Sequence, residues 1–213
     1  MQAGEQKTYR GYEVCLFPMD YLYCTQVSGP GNYSHCCGTA TDWIGTHAVY
    51  PVYAPFSCTE IYRDGSTVAY INDAPVWTPS GLKEHVIVSF THDDNQPTQT
   101  HFNQGDLIAH TGTTGGALGD HTHLDQAFDS ERVLIDSGIT CAYGNRCYYI
   151  RNGIMPPECY YLSGSETIVQ TLGQAFQTWT GGTGISTGIL MLLLKKMKER
   201  RKDNYGKRFT GSV

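Results

Sequence analysis

Apolar and polar residues alternate with a period of two in several short segments of the chain. In the segment 84–91, Val86, Val88 and Phe90 alternate with other residues before His92. A period of two puts every second side chain on one face of a strand, so we predict a strand that delivers His92 at its end. Two further apolar runs flank the sequence Arg-Asp-Gly at 63–65, which predicts a β-hairpin.

Composition supports the same fold class. The chain has 213 residues, 40% of them hydrophobic and 12% aromatic, which suffices for one core with an appendage. Its 24 glycines and 15 tyrosines, many among threonine and valine in short runs, favour an all-β domain with many turns. Charge is uneven, because residues 1–194 hold 7 Lys and Arg against 18 Asp and Glu, while residues 195–213 hold 8 against 2. The two parts are therefore expected to face different partners.

The number of cysteines indicates whether the protein works in an oxidising environment. The eight cysteines stand at positions 15, 24, 36, 37, 58, 141, 147 and 159. Such a density predicts disulfides and an oxidising destination, with Cys141 and Cys147 as the best candidates for a bridge that closes a small loop. No Cys-x-x-Cys pair is present, which argues against a structural zinc knuckle. The N-terminal residues 1–14 contain no apolar segment of the signal-peptide type, so another route to that destination is expected.

The sequence Gly119 to Phe128 holds a His-x-His pair. If this segment is extended, His121 and His123 point into the same space. One can hold a metal ion while the other handles a proton, but a catalytic zinc ion needs three protein ligands and a water, so further ligands must come from elsewhere. The alternative is a pair of surface or hydrogen-bonded core histidines. The apolar run and the glycine and threonine turn that precede the pair favour a site.

Two more ligand types stand earlier in the chain. His35 and Asp42 are separated by six residues, and a loop of that length can bring both round one ion. Their other interpretation is a turn histidine and a turn or cap carboxylate. His92 is either a catalytic histidine at the end of a strand or an ordinary loop histidine. The remaining histidines, at 47, 85, 101 and 110, match no motif and are expected to be structural or at the surface.

These motifs, in this order, resemble the lysostaphin-like (LytM-type) zinc endopeptidases of bacterial cell walls and phages. The resemblance covers roughly residues 30–128, and its most specific part is His121-Thr-His123 after the Gly-Thr-Thr-Gly turn at 112–115. It implies a compact antiparallel β fold with Zn²⁺ in a groove. It also implies His35, Asp42 and His123 as zinc ligands.

The same resemblance implies that His121 is the catalytic base and that His92 is its partner, helping zinc to stabilise the oxyanion. One departure concerns His35. The commonest pattern of the family has three residues between the first histidine and the aspartate, whereas this chain has six, a spacing that resembles phage variants. Cys36 and Cys37 lie beside His35 and could compete for the metal, although adjacent thiols of an oxidised protein are expected to form disulfides.

The C-terminal part differs in character. Residues 167–194 are 28 positions without a charge, and Ile168, Leu172 and Phe176 recur at helical spacing, which predicts an amphipathic helical extension with a basic tail. This helical segment either docks on protein or contacts an anionic membrane through residues 168–202. The strongly apolar core of ten residues, 185–194, is too short for a stable membrane anchor. Nucleic-acid binding is not expected, because the tail lacks interleaved aromatic residues.

Together these features predict three parts: an N-terminal arm and first strand (1–29), a zinc endopeptidase domain (30–165) and the C-terminal helical segment with its basic tail (166–213). The predicted function is a peptidoglycan hydrolase of a phage tail tip. It would be carried in the virion, contact other phage tail proteins, and cut peptidoglycan peptides of the host cell wall from outside during genome entry. Two alternatives remain: a lysin released at host lysis, and a structural tail plug that keeps the fold without catalysis.

Overall fold

The regular secondary structure of the described residues consists of β-strands. The structure is a computed structural model that describes residues 1–26, 35, 38–131, 134–140, 146–150, 152–154, 157–161, 166–168 and 177–178. None of these residues is helical. The prediction of a mainly β, antiparallel domain is confirmed.

The strands are short and are joined by turns. In chain order, those of the described residues are β1 (Thr8–Tyr9), β2 (Tyr12–Val14), β3 (Cys24–Gln26), β4 (Thr41–Trp43), β5 (Pro51–Tyr53), β6 (Cys58–Arg63), β7 (Thr67–Asn72), β8 (Val76–Thr78), β9 (Gly81–Lys83), β10 (Ile87–Thr91), β11 (His101–Phe102), β12 (Leu107–His110), β13 (Thr122–Ala127), β14 (Leu134–Thr140), β15 (Arg146–Ile150), β16 (Cys159–Tyr161), β17 (Glu166–Ile168) and β18 (Gln177–Thr178). The predicted hairpin is formed by β6 and β7, and the predicted strand before His92 is β10.

A seven-stranded sheet organises the domain. Its strands lie in the order β11-β6-β7-β10-β13-β4-β3, and neighbouring strands are antiparallel throughout. In its register Thr91 pairs with His123, and His123 pairs with Asp42. Paired residues of antiparallel strands lie on the same face, so this register brings the end of β10, the start of β13 and the middle of β4 together.

The main hydrophobic core is built on the same strands. Leu124 and Phe90 are buried and pair across β13 and β10, and Phe17 packs against Trp43 with a ring-centroid distance of 4.6 Å. Alternation along β13 therefore gives Leu124 to the core while its neighbour His123 stays partly exposed. The core thus fixes the strand that carries the histidine.

Truncation of Leu124 tests this role of the core. Because Leu124 is 2% exposed, we expect Leu124→Ala to lower the free energy of unfolding by about 2–5 kcal/mol. The matched control is Leu118→Ala, since Leu118 is 78% exposed and its loss should change stability by less than about 0.5 kcal/mol. Urea denaturation of both variants measures the difference. Equal stability of the two would show that Leu124 is not a core anchor.

The C-terminal prediction differs from the structure where the two can be compared. Glu166–Ile168 and Gln177–Thr178 are strands β17 and β18, which pair with each other, and β17 also pairs with β16. At these residues the predicted helix is wrong, because threonine and isoleucine suit an extended chain with a partner strand. Residues 169–176 and 179–213 lie outside the described residues, and so does most of the predicted helix. Within the described part, no helix has the length and apolar character needed to cross a membrane.

The prediction of disulfides is wrong at three positions. Cys15, Cys58 and Cys159 are buried thiols that are at most 1% exposed, and the Sγ atoms of Cys15 and Cys159 are 3.6 Å apart, far beyond a covalent bond. They behave as small apolar core residues, and burial raises the pKa of the Cys15 and Cys58 thiols. Cys36, Cys37 and Cys141 lie outside the described residues, as does the side chain of Cys147, so the Cys141–Cys147 bridge stays a prediction.

Candidate metal and catalytic site

Asp42 lies at the centre of a histidine cluster. Its Oδ1 atom is 3.1 Å from Nδ1 of His123, 3.3 Å from Nε2 of His35 and 3.6 Å from Nε2 of His121. One ligand atom each of His35, Asp42 and His123 lie within 4.8 Å of one another. The structure thus brings together the three residues for which a metal-binding role was predicted.

The sheet register explains how two of these residues meet. Asp42 in β4 and His123 in β13 are direct cross-strand partners, so their side chains share one face. The side chains of His35 and Asp42 are 3% and 7% exposed, whereas that of His123 is 21% exposed. The cluster is therefore deepest at His35 and opens towards solvent at His123.

The charge of Asp42 is strongly stabilised. Burial alone would raise the pKa of this carboxyl group, but hydrogen bonds from His123 and His35 outweigh burial and hold the pKa well below its usual range. Asp42 is therefore an anion between imidazoles near neutral pH. The same nitrogen atoms can bind a divalent cation once they carry a lone pair in place of the hydrogen, and the buried carboxylate then supplies negative charge to that cation.

The donor atoms fit a zinc ion. Ligand bonds of about 2.0–2.1 Å in tetrahedral geometry put neighbouring ligand atoms about 3.3 Å apart, and the distances from Asp42 Oδ1 to His123 Nδ1 and His35 Nε2 are 3.1 and 3.3 Å. Two imidazoles and one carboxylate are a ligand set of catalytic zinc sites, which keep a fourth position for water. His35 Nδ1 is buried and has no hydrogen-bond partner among the described residues, and the His35 ring packs edge-on against that of His123 at a centroid distance of 4.6 Å.

His121 is held in one tautomer beside the cluster. Its Nδ1 atom is 2.7 Å from the carbonyl oxygen of Gly119, which can only accept a hydrogen bond, so Nδ1 carries the hydrogen. The main chain of His121 is fixed as well, by two hydrogen bonds to Gly112. In the neutral ring Nε2 then carries a lone pair, and this atom is the one that faces Asp42.

His92 is held in the same tautomer. Its Nδ1 atom is 2.6 Å from the carbonyl oxygen of Thr114, and its ring centroid is 4.6 Å from that of His121. The backbone of His92 has a φ of 87°, an unusual conformation for a residue with a side chain and one that is enriched at functional sites. His92 therefore belongs to the cluster, next to His121.

The pKa of His92 predicts a pH effect in the metal-free protein. Burial lowers this pKa from 6.5 to about 4, although the hydrogen bond to Thr114 acts in the opposite direction. Between these values the unfolded chain binds more protons than the folded chain, so the stabilisation is present above pH 6.5 and is lost as the pH falls towards 4. A shift of this size corresponds to on the order of 3 kcal/mol.

Urea denaturation at pH 7 and pH 4.5 checks this expectation. The wild type should lose more stability on acidification than His92→Gln, while His101→Gln, which changes a surface histidine paired with Asp73, should follow the wild type. Equal losses in the wild type and in His92→Gln would contradict the prediction.

Asp125 is a site residue for which the sequence predicted no role. This buried carboxylate, 4% exposed, has Oδ2 3.8 Å from Nε2 of His123, on the side of the ring away from Asp42, and Thr39 Oγ1 donates to its Oδ1 at 3.5 Å. The separation of 3.8 Å from His123 is an ion-pair contact and exceeds a hydrogen-bond distance, and a carboxylate in this position is the usual partner of a histidine that binds metal through its other nitrogen. The sequence feature that could have indicated this contact is the spacing of Asp125, two residues after His123 on the same strand. This spacing puts both side chains on one face.

Of the other histidines, His85 is exposed, and the remaining three have separate partners. His101 pairs with Asp73 at 2.9 Å, the main-chain nitrogen of His110 donates to Asp93 at 2.9 Å, and His47 contacts the carbonyl oxygen of Ala48 at 2.8 Å. None of them belongs to the metal-type cluster found within the described part of the chain.

Comparison with known proteins gives partial similarities. No protein-family model matches the chain. The chain is 33% identical over 119 residues to Morphogenesis protein 1 of Bacillus phage B103, a match that covers 54% of this chain and 32% of the relative. The chain therefore spans about a third of the length of that relative.

Solved structures show weak overlaps. A zinc-containing peptidase from Vibrio cholerae has a TM-score of 0.40 at 18% identity, over 54% of this chain and 39% of that chain. The catalytic domain of lysostaphin from Staphylococcus simulans has a TM-score of 0.37 at 17% identity, over 52% of this chain and 80% of that chain. At these TM-scores and identities, the overlaps say nothing about the activity of this chain.

Proposed function

We propose that this chain is a zinc-dependent endopeptidase that cleaves the peptide cross-links of peptidoglycan. The observation that carries the proposal is the convergence of His35, Asp42 and His123 at ligand spacing, with two further imidazoles beside them. A structural metal site would not need the additional pair. Metal-ligand geometry next to histidines held in a defined tautomer is what hydrolysis requires.

The roles follow from the nitrogen atoms. His35, Asp42 and His123 would hold the zinc ion, which supplies Lewis-acid chemistry by lowering the pKa of a bound water and polarising the substrate carbonyl. His121 has its hydrogen on Nδ1, so its Nε2 atom can accept a proton as general base. The accepted proton can then pass to the leaving amine.

The family resemblance implies that His92 helps to stabilise the oxyanion, and the tautomer of His92 sets the condition for that role. Because Nδ1 donates to Thr114 and the pKa is about 4, the Nε2 atom of His92 carries no hydrogen near neutral pH. In that state His92 accepts a hydrogen bond and cannot donate one to an oxyanion. His92 would then stand beside His121 as a hydrogen-bond acceptor, and it would donate to the oxyanion only when Nε2 carries a proton.

The proposal also includes a biological setting, the phage virion. The similarity to a phage protein named for morphogenesis supports a virion-associated enzyme that opens peptidoglycan locally during genome entry. Its partners would be peptidoglycan peptides and other tail proteins. The enzyme would act outside the host, at the cell wall. Residues 168–202 would contact either tail proteins or the host membrane.

Muropeptide analysis tests the enzymatic proposal. Purified full-length protein with one equivalent of zinc should convert cross-linked muropeptides into uncrosslinked products, as measured by mass spectrometry. A chelator should stop the reaction, and added zinc should restore it. Intact cross-links in the presence of folded, zinc-loaded protein would overturn the proposal.

A further inference from the structure

Asp94 fixes the turn that follows β12 and lies beside His92. The turn contains the residues Gly-Thr-Thr-Gly at 112–115. The Thr114 hydroxyl donates to Oδ1 of Asp94 at 2.6 Å, and the Thr113 main-chain nitrogen lies 3.2 Å from each carboxylate oxygen. The Thr113 hydroxyl is 3.5 Å from both oxygens. One carboxylate therefore gathers three donors from two consecutive residues of the turn.

The same turn holds His92 at two points. The Thr114 carbonyl oxygen is 2.6 Å from Nδ1 of His92, and the Thr114 main-chain nitrogen donates to the His92 carbonyl oxygen at 3.2 Å. Asp94 thus bonds the side chain of Thr114 while the main chain of Thr114 bonds His92. Any shift of Thr114 changes both contacts of the histidine.

The local backbone leaves little room for another arrangement. A Cβ atom on Gly112 would lie 2.2 Å from the His92 carbonyl oxygen, and Gly115 has a φ of 83°. His92 itself has a φ of 87°, and its main-chain nitrogen donates to Ser66 at 3.0 Å. An uncommon backbone conformation persists only where surrounding contacts stabilise it. The two hydrogen bonds between the turn and His92 are part of that stabilisation.

We propose that Asp94 is a positioning residue that fixes the Gly-Thr-Thr-Gly turn and thereby keeps His92 in the tautomer with hydrogen on Nδ1. Asp94 is exposed and lies two residues after His92, so it acts through Thr114. Its consequence for catalysis depends on the proposed function, whereas its effect on the tautomer does not. Because the carboxylate is at the surface, its removal is expected to change the imidazole more than the global stability.

Nitrogen NMR of the full-length protein with ¹⁵N-labelled histidine tests this role. His92 is assigned by comparison with His92→Gln, and its two ring nitrogens report which one carries the hydrogen. The wild type should show the Nδ1–H tautomer. Asp94→Ala should give a mixture of tautomers, and Thr114→Val, which removes the hydroxyl but keeps the carbonyl, should shift the signals in the same direction.

A matched control and a kinetic readout complete the test. Asp106→Ala removes another turn carboxylate, which accepts from the Asn103 main-chain nitrogen at 2.7 Å, and should leave the His92 signals unchanged. With cross-linked muropeptides, Asp94→Ala should lower kcat by about tenfold to a hundredfold while KM stays the same. Asp94→Asn, which keeps one acceptor oxygen, should lie in between.

The outcomes separate the two proposals. If both Asp94→Ala and Thr114→Val keep the wild-type tautomer, the positioning role is overturned, and Thr114→Val decides the question if Asp94→Ala fails to fold. A mixture of tautomers already present in the wild type also overturns it. Absence of hydrolysis by the wild type counts against the proposed function alone, because the NMR result stands without turnover.

Discussion

Replacement of Asp42 by asparagine is expected to weaken zinc binding strongly and to abolish hydrolysis. Asparagine preserves the shape of the side chain but removes the buried negative charge that lies between His35, His121 and His123. Loss of a residue that merely orients a metal ligand typically costs 10- to 100-fold in affinity, so loss of a ligand should lower zinc affinity by at least about a hundredfold. Titration calorimetry with zinc and the muropeptide assay measure the two effects.

Asp73→Asn is the matched control for this change. Asp73 also pairs with a histidine, His101, at 2.9 Å, but that pair is at the surface and outside the cluster. Zinc affinity and hydrolysis should be unchanged in this variant. Wild-type zinc affinity in Asp42→Asn would contradict the ligand set, and equal losses in both variants would show that the effect is not specific to the site.

His121→Ala is expected to separate metal binding from catalysis. The variant keeps His35, Asp42 and His123, so it should bind zinc with an affinity close to that of the wild type. Without the Nε2 atom of His121 the reaction loses its general base, and kcat/KM should fall by about 10²–10⁴-fold. The loss should appear in kcat, because the proton is transferred in the transition state.

This variant also distinguishes an enzyme from a structural tail plug. A plug that keeps the fold without turnover should function equally well with alanine at this position, whereas an enzyme should lose its activity. His101→Ala, which removes a surface histidine, should behave as the wild type in both measurements. Hydrolysis by His121→Ala at the wild-type rate would exclude His121 as the base.

The sequence predicted the geometry best where a local pattern determined it. The period of two around Val86, Val88 and Phe90 predicted a strand ending at His92, and the structure has β10 there. The spacing of His121 and His123 predicted a shared direction, and both rings lie next to Asp42. The strand and the shared direction of the two rings each depend on a few neighbouring residues, so the sequence alone was sufficient to predict them.

The family resemblance implied that His35, Asp42 and His123 converge, but the strand register behind that convergence was visible only in the structure. The register that pairs His123 with Asp42 joins residues 81 positions apart, and a shift of one residue would have put the carboxylate on the opposite face. Asp94 acts through Thr114, which lies 20 residues further along the chain. No local sequence pattern predicts that hydrogen bond. The thiols of Cys15 and Cys159 were mistaken for disulfides because the cysteine count cannot distinguish a buried core residue from a cross-link.

Zinc K-edge X-ray absorption of the purified full-length protein with one equivalent of zinc tests the central claim most directly. The account predicts only nitrogen and oxygen neighbours at about 2.0–2.2 Å, with two imidazoles among them. Cys36 and Cys37 are next to His35 in the sequence and could supply sulfur instead. A sulfur shell at about 2.3 Å would contradict the account, because zinc would then be held by cysteine rather than by the predicted His-Asp-His ligand set.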